Sequence, residues 1–405
     1  MNSGVIFDFD GVIVDSVDQL YDAYWEILSD LHITVENRNI EHLNGLKIYQ
    51  ICEEVIRRNN VDISPNELYA IYEKKLDAIY KGCSEIHIIV ALISKLGSEG
   101  IKMSVASGCP EKYINKVLKR LGVSQYFECV IGAESINNGK PDPEVFITCL
   151  NGSSFDRALV IDDGSSGVLA ALRSGCSVIK FDSSISVSNN LYELVSHFIK
   201  HRISYLGCLK DIKIKHEEST YKLNDDEMSK WESLQASGSY NAPMLMLDIK
   251  STSNLCHLAS IQRDYRYYRV KNKTDLALAV TGVIKNDQGN ILIGKRSVGS
   301  FQYPDKFDLI PAGSLESGNY IQQLNLEWSE ETGLDDSVTW SKYSSLFIDH
   351  ANKVLDLVVP GSVPSIELDK CQSDEFDMFV WGNAKNSELM TPLAETIIKY
   401  EMAQI

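Results

Sequence analysis

A chain of 405 residues is longer than one ordinary hydrophobic core and implies two or three domains. Its 44% hydrophobic and 23% charged residues are those of a globular protein, and its formal net charge of -17 disfavours nonspecific binding to nucleic acid or to an anionic membrane. Nine cysteines without a Cys-x-x-Cys pair argue for reduced thiols in small core positions rather than a disulfide framework or a zinc site.

The first element is an apolar run over 5–7, read as a short buried strand, which delivers Asp8 and Asp10 into a turn opened by Gly11. If the extended conformation continued to Asp10, the two carboxylates would share one face. After Ser16 the spacing of Val17, Leu20, Tyr21, Tyr24, Trp25, Leu28 and Leu31 is helical, and further helices are expected over 48–58 and 65–80. This all-helical stretch interrupts an alternating pattern and reads as an inserted cap. Alternation then resumes: a helix over 88–97, a strand over 103–106, a helix after Pro110, a strand over 129–131, a helix after Pro143, a strand over 158–161, a helix over 167–174 and a strand over 177–181. Such alternation predicts a parallel, doubly wound α/β sheet, with a helix over 191–199 closing the domain.

From about residue 204 the texture changes to polar helical and strand-like pieces, including a helix over 225–235, a strand over 244–247 and the aromatic run Tyr265, Tyr267 and Tyr268. Residues 276–284 and 290–293, separated by Asn286-Asp287-Gln288-Gly289, read as a hairpin. There is no internal repeat or low-complexity linker.

Two acids before a glycine are also what an ordinary solvated turn contains. Three later segments change that balance. Ser107-Gly108 follows a strand, where a hydroxyl and backbone amides could bind phosphate oxygens, although a lone serine there is also a helix cap. Gly139-Lys140-Pro141-Asp142-Pro143 places a cation in a rigid turn, and Asp162-Asp163-Gly164 ends another strand with two more acids. Clustered carboxylates repel one another and call for a cation; an all-oxygen site suits magnesium.

Taken together, these four motifs resemble those of haloacid dehalogenase-like (HAD) hydrolases with a helical cap, the branch of phosphoglycolate phosphatase-like and β-phosphoglucomutase-like enzymes. The resemblance implies a magnesium-dependent phosphatase of a small phosphorylated metabolite, a sugar or polyol phosphate, working through an aspartyl-phosphate. It implies Asp8 as nucleophile, Asp10 as acid and base, Lys140 as charge stabiliser, and Ser107, Gly108 and Lys140 around the phosphate. Magnesium would be held by Asp8, the Asp10 carbonyl and Asp163, with Asp162 close by. A sugar phosphomutase is the alternative within this family. Lys47, Arg57 and Arg58 of the cap are candidate substrate contacts, with a solvated helix face as the plain alternative for each.

A second motif pair, 311–318 followed by Glu327-Trp328-Ser329-Glu330-Glu331-Thr332-Gly333-Leu334, resembles a Nudix box. Glu327, Glu330 and Glu331 lie three and four positions apart on a helix, a spacing that can gather carboxylates for a metal. Asn319 and Leu326 stand where the family has glutamate and arginine, so the box is degenerate. Residues 238–247, 264–268 and 294–297 resemble the front part of Nudix proteins that cleave nucleotide sugars, which would make the chain bifunctional. Another alternative makes this half a nonenzymatic ligand-sensing or assembly module.

The expected organisation is therefore a HAD domain over 1–203 with a cap at about 17–85, a connecting region over 204–273, and an α+β Nudix-like domain over 274–405. With no apolar run long enough to span a bilayer and no leader-like start, a cytoplasmic location is expected. No nucleic-acid or membrane partner is expected, and the oligomeric state is open, a homo-oligomer included.

Overall fold

The computed structural model describes residues 3–33, 45–59, 62–182, 191–217, 223–236, 243–270, 275–300, 303–334, 338–363, 366–382 and 389–402. The chain divides into two compact units, Met1–Ser183 and Ser184–Ile405.

In the first unit the strands are β1 (Ser3–Phe7), β4 (Lys102–Ala106), β5 (Phe127–Ile131), β6 (Arg157–Asp162) and β7 (Ser177–Lys180), together with the short β2 (Val14–Asp15) and β3 (Ser84–Glu85). The five longer strands form a sheet of order β5-β4-β1-β6-β7, and every pairing in it is parallel. β1 occupies the centre, which is why Val5, Ile6 and Phe7 are all fully buried. The helices are α1 (Val17–Asp30), α2 (Ile48–Asn59), α3 (Pro65–Gly82), α4 (His87–Ser98), α5 (Glu111–Arg120), α6 (Glu144–Gly152) and α7 (Ser165–Arg173). The strand and helix alternation expected from residue 88 onward is present, with boundaries moved by a residue or two.

α1, α2 and α3 form the inserted cap around Ile27, Leu28, Cys52, Val55, Leu68 and Tyr72. Ser64 and Glu67 close a reciprocal capping box at the start of α3, where Pro65 supplies a preset backbone angle. The insertion leaves and re-enters the sheet domain through β2 and β3, which pair antiparallel and hold its two ends together.

The second unit opens with the helix Leu191–His201 and is built on a 12-stranded mixed sheet. Its central strand Ala277–Lys285 pairs in parallel with Val354–Ser362 along its whole length, and antiparallel with Ala312–Ser314. The hairpin expected over 276–293 is a sharp turn with little ladder. Strand Ile291–Arg296 meets Ala277–Lys285 only at Lys285↔Ile291 and then pairs with Phe307–Leu309 and Phe376–Gly382. A core of Ile284, Leu292, Ile310, Trp328, Val363 and Phe376 joins these strands to the helix Tyr320–Thr332.

Among the described residues, no helix is long and apolar enough to cross a membrane.

Candidate active site

β1 ends at Phe7, and the Asp8 amide extends the ladder by donating to the Ile161 carbonyl at 2.9 Å. Beyond it the chain does not stay extended: the amides of Ile13 and Val14 donate to the Phe9 carbonyl, and Gly11 turns the backbone with φ 76°. The two carboxylates therefore separate into different environments. Asp8 is buried at the strand end, whereas Asp10 accepts from Ser16 Oγ at 2.5 Å and from Tyr80 OH at 3.0 Å. Ser16 precedes α1 but makes no side-chain cap; its hydroxyl serves Asp10 instead.

The turn before α6 brings in Lys140, whose Nζ lies 2.7 Å from Asp8 Oδ1 and donates to Asp162 Oδ2 at 2.6 Å. Asp162 uses its other oxygen to accept from the Gly164 amide at 2.9 Å. Asp163 completes the cluster: ligand oxygens of Asp8, Asp162 and Asp163 all lie within 4.8 Å of one another. α7 can approach this closely because residue 167 is glycine, and a Cβ there would overlap the Asp162 carboxylate. Ser107 is buried, with its Oγ accepting from the Cys109 amide at 3.1 Å. The seven sequence-predicted residues Asp8, Asp10, Ser107, Gly108, Lys140, Asp162 and Asp163 all line one cavity of about 160 Å³.

Three crowded carboxylates facing one ammonium leave excess negative charge. Burial, reinforced by the charge of Asp162 and opposed by Lys140, pushes the Asp8 carboxyl up to about 7. Burial and the charges of Asp162 and Asp8 push Asp163 up to about 8. Burial also raises Asp10, against the hydrogen bonds from Ser16 and Tyr80. For Lys140 burial opposes the charged form, but Asp162 and Asp8 outweigh it and hold the ammonium above its ordinary value.

These shifts predict how metal-free protein responds to pH. Asp8 and Asp163 keep protons in the folded state that the unfolded chain has already lost, so the stability they contribute is complete below about pH 4 and falls as pH rises through 7 and 8. Thermal melting in a chelator should decline from pH 5 to 8.5, and millimolar magnesium should restore most of the loss at the alkaline end. A melting temperature flat in pH and indifferent to magnesium would contradict this picture.

The cap cations do other work. Lys47 Nζ donates to the Ile136 carbonyl at 2.6 Å, and Gln50 Oε1 accepts from the Gly139 amide at 3.0 Å, so both residues pin the cap to the sheet domain. Arg57 and Arg58 pair with Glu54 on an exposed face. The sequence reading did not single out Tyr80, Ser16 as a partner of Asp10, or Gln50. Their roles arise from contacts across 6 to 89 positions.

In the second unit Glu331 is buried and accepts from the Ala312 amide at 3.0 Å, Glu327 accepts from Gln323 at 2.8 Å, and Glu330 is exposed. Burial pushes Glu327 up to about 7. Among the described residues these three glutamates do not form a set with ligand atoms within 4.8 Å. His197, His201 and Glu395 do, yet Lys399 Nζ stands 3.2 Å from His197 Nε2 and 3.0 Å from Glu395 Oε1, so an ammonium already supplies the positive charge there.

Comparison with known proteins covers the first unit. The haloacid dehalogenase-like hydrolase family model matches residues 5–181. A fructose-1-phosphate phosphatase of Escherichia coli is 26% identical over 181 residues, covering 44% of this chain and 95% of the relative. A phosphorylated carbohydrates phosphatase of Thermotoga maritima is 26% identical over 181 residues, covering 42% and 81%. A β-phosphoglucomutase of Bacillus subtilis is 25% identical over 187 residues, covering 42% and 79%. The α/β unit that carries Asp8, Lys140 and Asp162 is a haloacid dehalogenase-like hydrolase domain.

Proposed function

We propose that the first unit is a magnesium-dependent phosphatase of small phosphomonoesters that works through an aspartyl-phosphate on Asp8. The observation that carries this reading is the placement of two carboxylates with different partners, Asp8 on Lys140 and Asp10 on Ser16 and Tyr80, in one cavity. The named activities of the relatives, on fructose 1-phosphate and phosphorylated carbohydrates, agree with a phosphomonoester substrate.

The donor set fits a hard divalent cation. Its oxygens are carboxylates, their negative charge exceeds that of the one ammonium, and buried Asp8 Oδ1 meets Lys140 without an aligned hydrogen bond. Asp8, the Asp10 carbonyl and Asp163 would hold magnesium, which when bound neutralises charge on the phosphoryl oxygens.

An Asp8 oxygen attacks phosphorus, the bond to the leaving oxygen breaks, and Asp10 gives that oxygen its proton. Water then attacks the phosphoryl group, Asp10 takes a proton from it, and the bond to Asp8 breaks to release phosphate. Lys140 and Ser107 stabilise charge on the transferred oxygens. Phosphate release from a panel of phosphomonoesters tests the reading, and no turnover of any member would reject it. A mutase would instead return isomerised sugar phosphate with little free phosphate.

Tyr80 is a positioning residue for Asp10. Its hydroxyl bond favours the ionised carboxylate, so Tyr80→Phe should raise the Asp10 value further. The alkaline limb of the kcat/KM profile, where Asp10 loses the proton it donates, should move to higher pH. An unmoved limb would separate Tyr80 from this role.

For the second unit we propose a Nudix-like module that binds a ligand without cleaving it. Its helix ends at Gly333 with φ 67°, as the resemblance implies, and Glu327 packs where a Cβ on Gly313 would overlap it. Among the described residues the three glutamates do not converge as a metal-ligand set, and Leu326 is an exposed side chain. Magnesium-dependent nucleotide release from nucleotide sugars by the full chain, lost in Glu331→Gln, would overturn the noncatalytic part of this reading.

A further inference from the structure

The helices Leu191–His201 and Pro392–Met402 of the second unit meet through a polar cluster. His197 and His201 are four positions apart on the first helix and so share a face, and Glu395 comes from the second. One ligand atom of each lies within 4.8 Å of the other two, and the imidazole rings are 5.4 Å apart between centroids. The cluster is sheltered: His197 is 5% exposed, and His201 Nε2 is buried with no hydrogen-bond partner. A buried ring nitrogen left unpaired destabilises the fold and is ordinarily answered by a partner.

Hydrogen bonds fix which nitrogen of His197 carries its proton. Thr396 Oγ1 donates to the Pro392 carbonyl at 2.8 Å and therefore faces His197 Nδ1, 3.3 Å away, as an acceptor. The proton of the neutral ring thus sits on Nδ1, and Nε2 keeps its lone pair. Lys399 agrees from the other side: an ammonium can only donate, and Nζ stands 3.2 Å from Nε2 and 3.0 Å from Glu395 Oε1. His197 Nε2 and Glu395 Oε1 therefore present lone pairs to one shared cation. The side chain that supplies it is 32% exposed, so the ammonium can leave for solvent.

We propose that this cluster is a binding site for a divalent transition metal of the zinc class, with His197, His201 and Glu395 as ligands and the Lys399 ammonium as the cation the metal displaces. Two imidazoles and one carboxylate suit zinc, whereas magnesium prefers oxygen ligands. Tetrahedral zinc with bonds of about 2.0–2.1 Å needs ligand atoms roughly 3.4 Å apart. His197 Nε2 and Glu395 Oε1 stand at 3.9 Å with the lysine beside them, so a small closure completes that pair. The Thr396 contact is the kind of hydrogen bond that orients a metal-bound histidine. Bound metal gives the His201 ring a partner and clips the two helices together.

The test is cobalt titration of the chelator-stripped full chain, followed by visible ligand-field absorption, with zinc as competitor. Millimolar magnesium is present throughout to fill the Asp8 cluster. The expected result is one equivalent of cobalt with a spectrum that zinc abolishes. His201→Ala should remove that equivalent, and Glu395→Gln should weaken it. Thr396→Val should weaken binding roughly 10- to 100-fold, as loss of a hydrogen bond to a ligating histidine does elsewhere. Lys399→Met should tighten it by roughly tenfold, because the metal no longer displaces an ammonium held by a carboxylate. Zinc should also raise the melting temperature of the parent and leave that of His201→Ala unchanged.

No cobalt spectrum in either the parent or Lys399→Met overturns the proposal and leaves Lys399 as the permanent cation of the cluster. Binding that survives both His201→Ala and Glu395→Gln overturns it too, since the metal then sits elsewhere, on a cysteine or a surface acid. Weaker binding in Lys399→Met overturns the displacement. A loss caused by unfolding of a ligand variant cannot imitate the gain expected from Lys399→Met.

Discussion

Asp8→Asn is expected to abolish phosphate release, lowering kcat by roughly 10,000-fold or more, as removal of a covalent nucleophile does elsewhere. An amide oxygen at this position is a poor nucleophile toward phosphorus, and the amide cannot form the acyl phosphate that water later cleaves. The same substitution has an opposite effect on stability. Asp8 is nearly buried beside Asp162 and Asp163, and its ionisation is opposed by burial and by the charges of Asp162 and Asp10, which together outweigh Lys140. Removing one of three crowded charges should therefore raise the melting temperature of metal-free protein at pH 8 and reduce its pH dependence. Inactivity together with undiminished stability separates a chemical role from a structural one. Substantial turnover in this variant would reject the aspartyl-phosphate mechanism.

The first unit was readable from sequence because its signals are local. An apolar run in a parallel sheet is buried on both faces, so 5–7 and 158–161 stand out without knowledge of their partners. The acids and the lysine follow strands or occupy a rigid turn, and the parallel order of the sheet brings those ends together. The environment of each acid was not readable. Tyr80 reaches Asp10 from 70 positions away, and Gln50 reaches Gly139 from 89. Helical periodicity marks Leu76 and Tyr80 as one face of α3 but does not say that this face meets a carboxylate.

The second unit was less legible for a topological reason. Strand Ala277–Lys285 has an adjacent sequence partner in 290–293, and local reasoning favours that hairpin. The observed partner is Val354–Ser362 in parallel, a long-range pairing that leaves no mark in either segment. The glutamates show a similar limit. Positions 327 and 331 are related by i,i+4 and turn inward together, while residue 330, one position earlier on the helix, is exposed.

Lys140→Ala tests the ionic centre from the other side. Lys140 is 3% exposed and stands between Asp8 and Asp162, so its loss leaves two buried carboxylates without their cation. Breaking such a pair costs about 3–5 kcal/mol, more than replacing the whole pair. Denaturant titration at pH 8 should show a loss of that size. The loss should shrink toward pH 4, where the carboxylates of the variant take up protons. Lys140→Ala combined with Asp162→Ala should recover part of it, because the double change removes a repelling acid along with the cation. Activity follows a different course. Without the ammonium, charge on the transferred oxygens loses a preorganised partner, and kcat should fall roughly 100- to 1,000-fold in the single variant. The double variant should regain stability without regaining rate. If rate and stability recovered in parallel, Lys140 would be acting only as a structural counterion to Asp162.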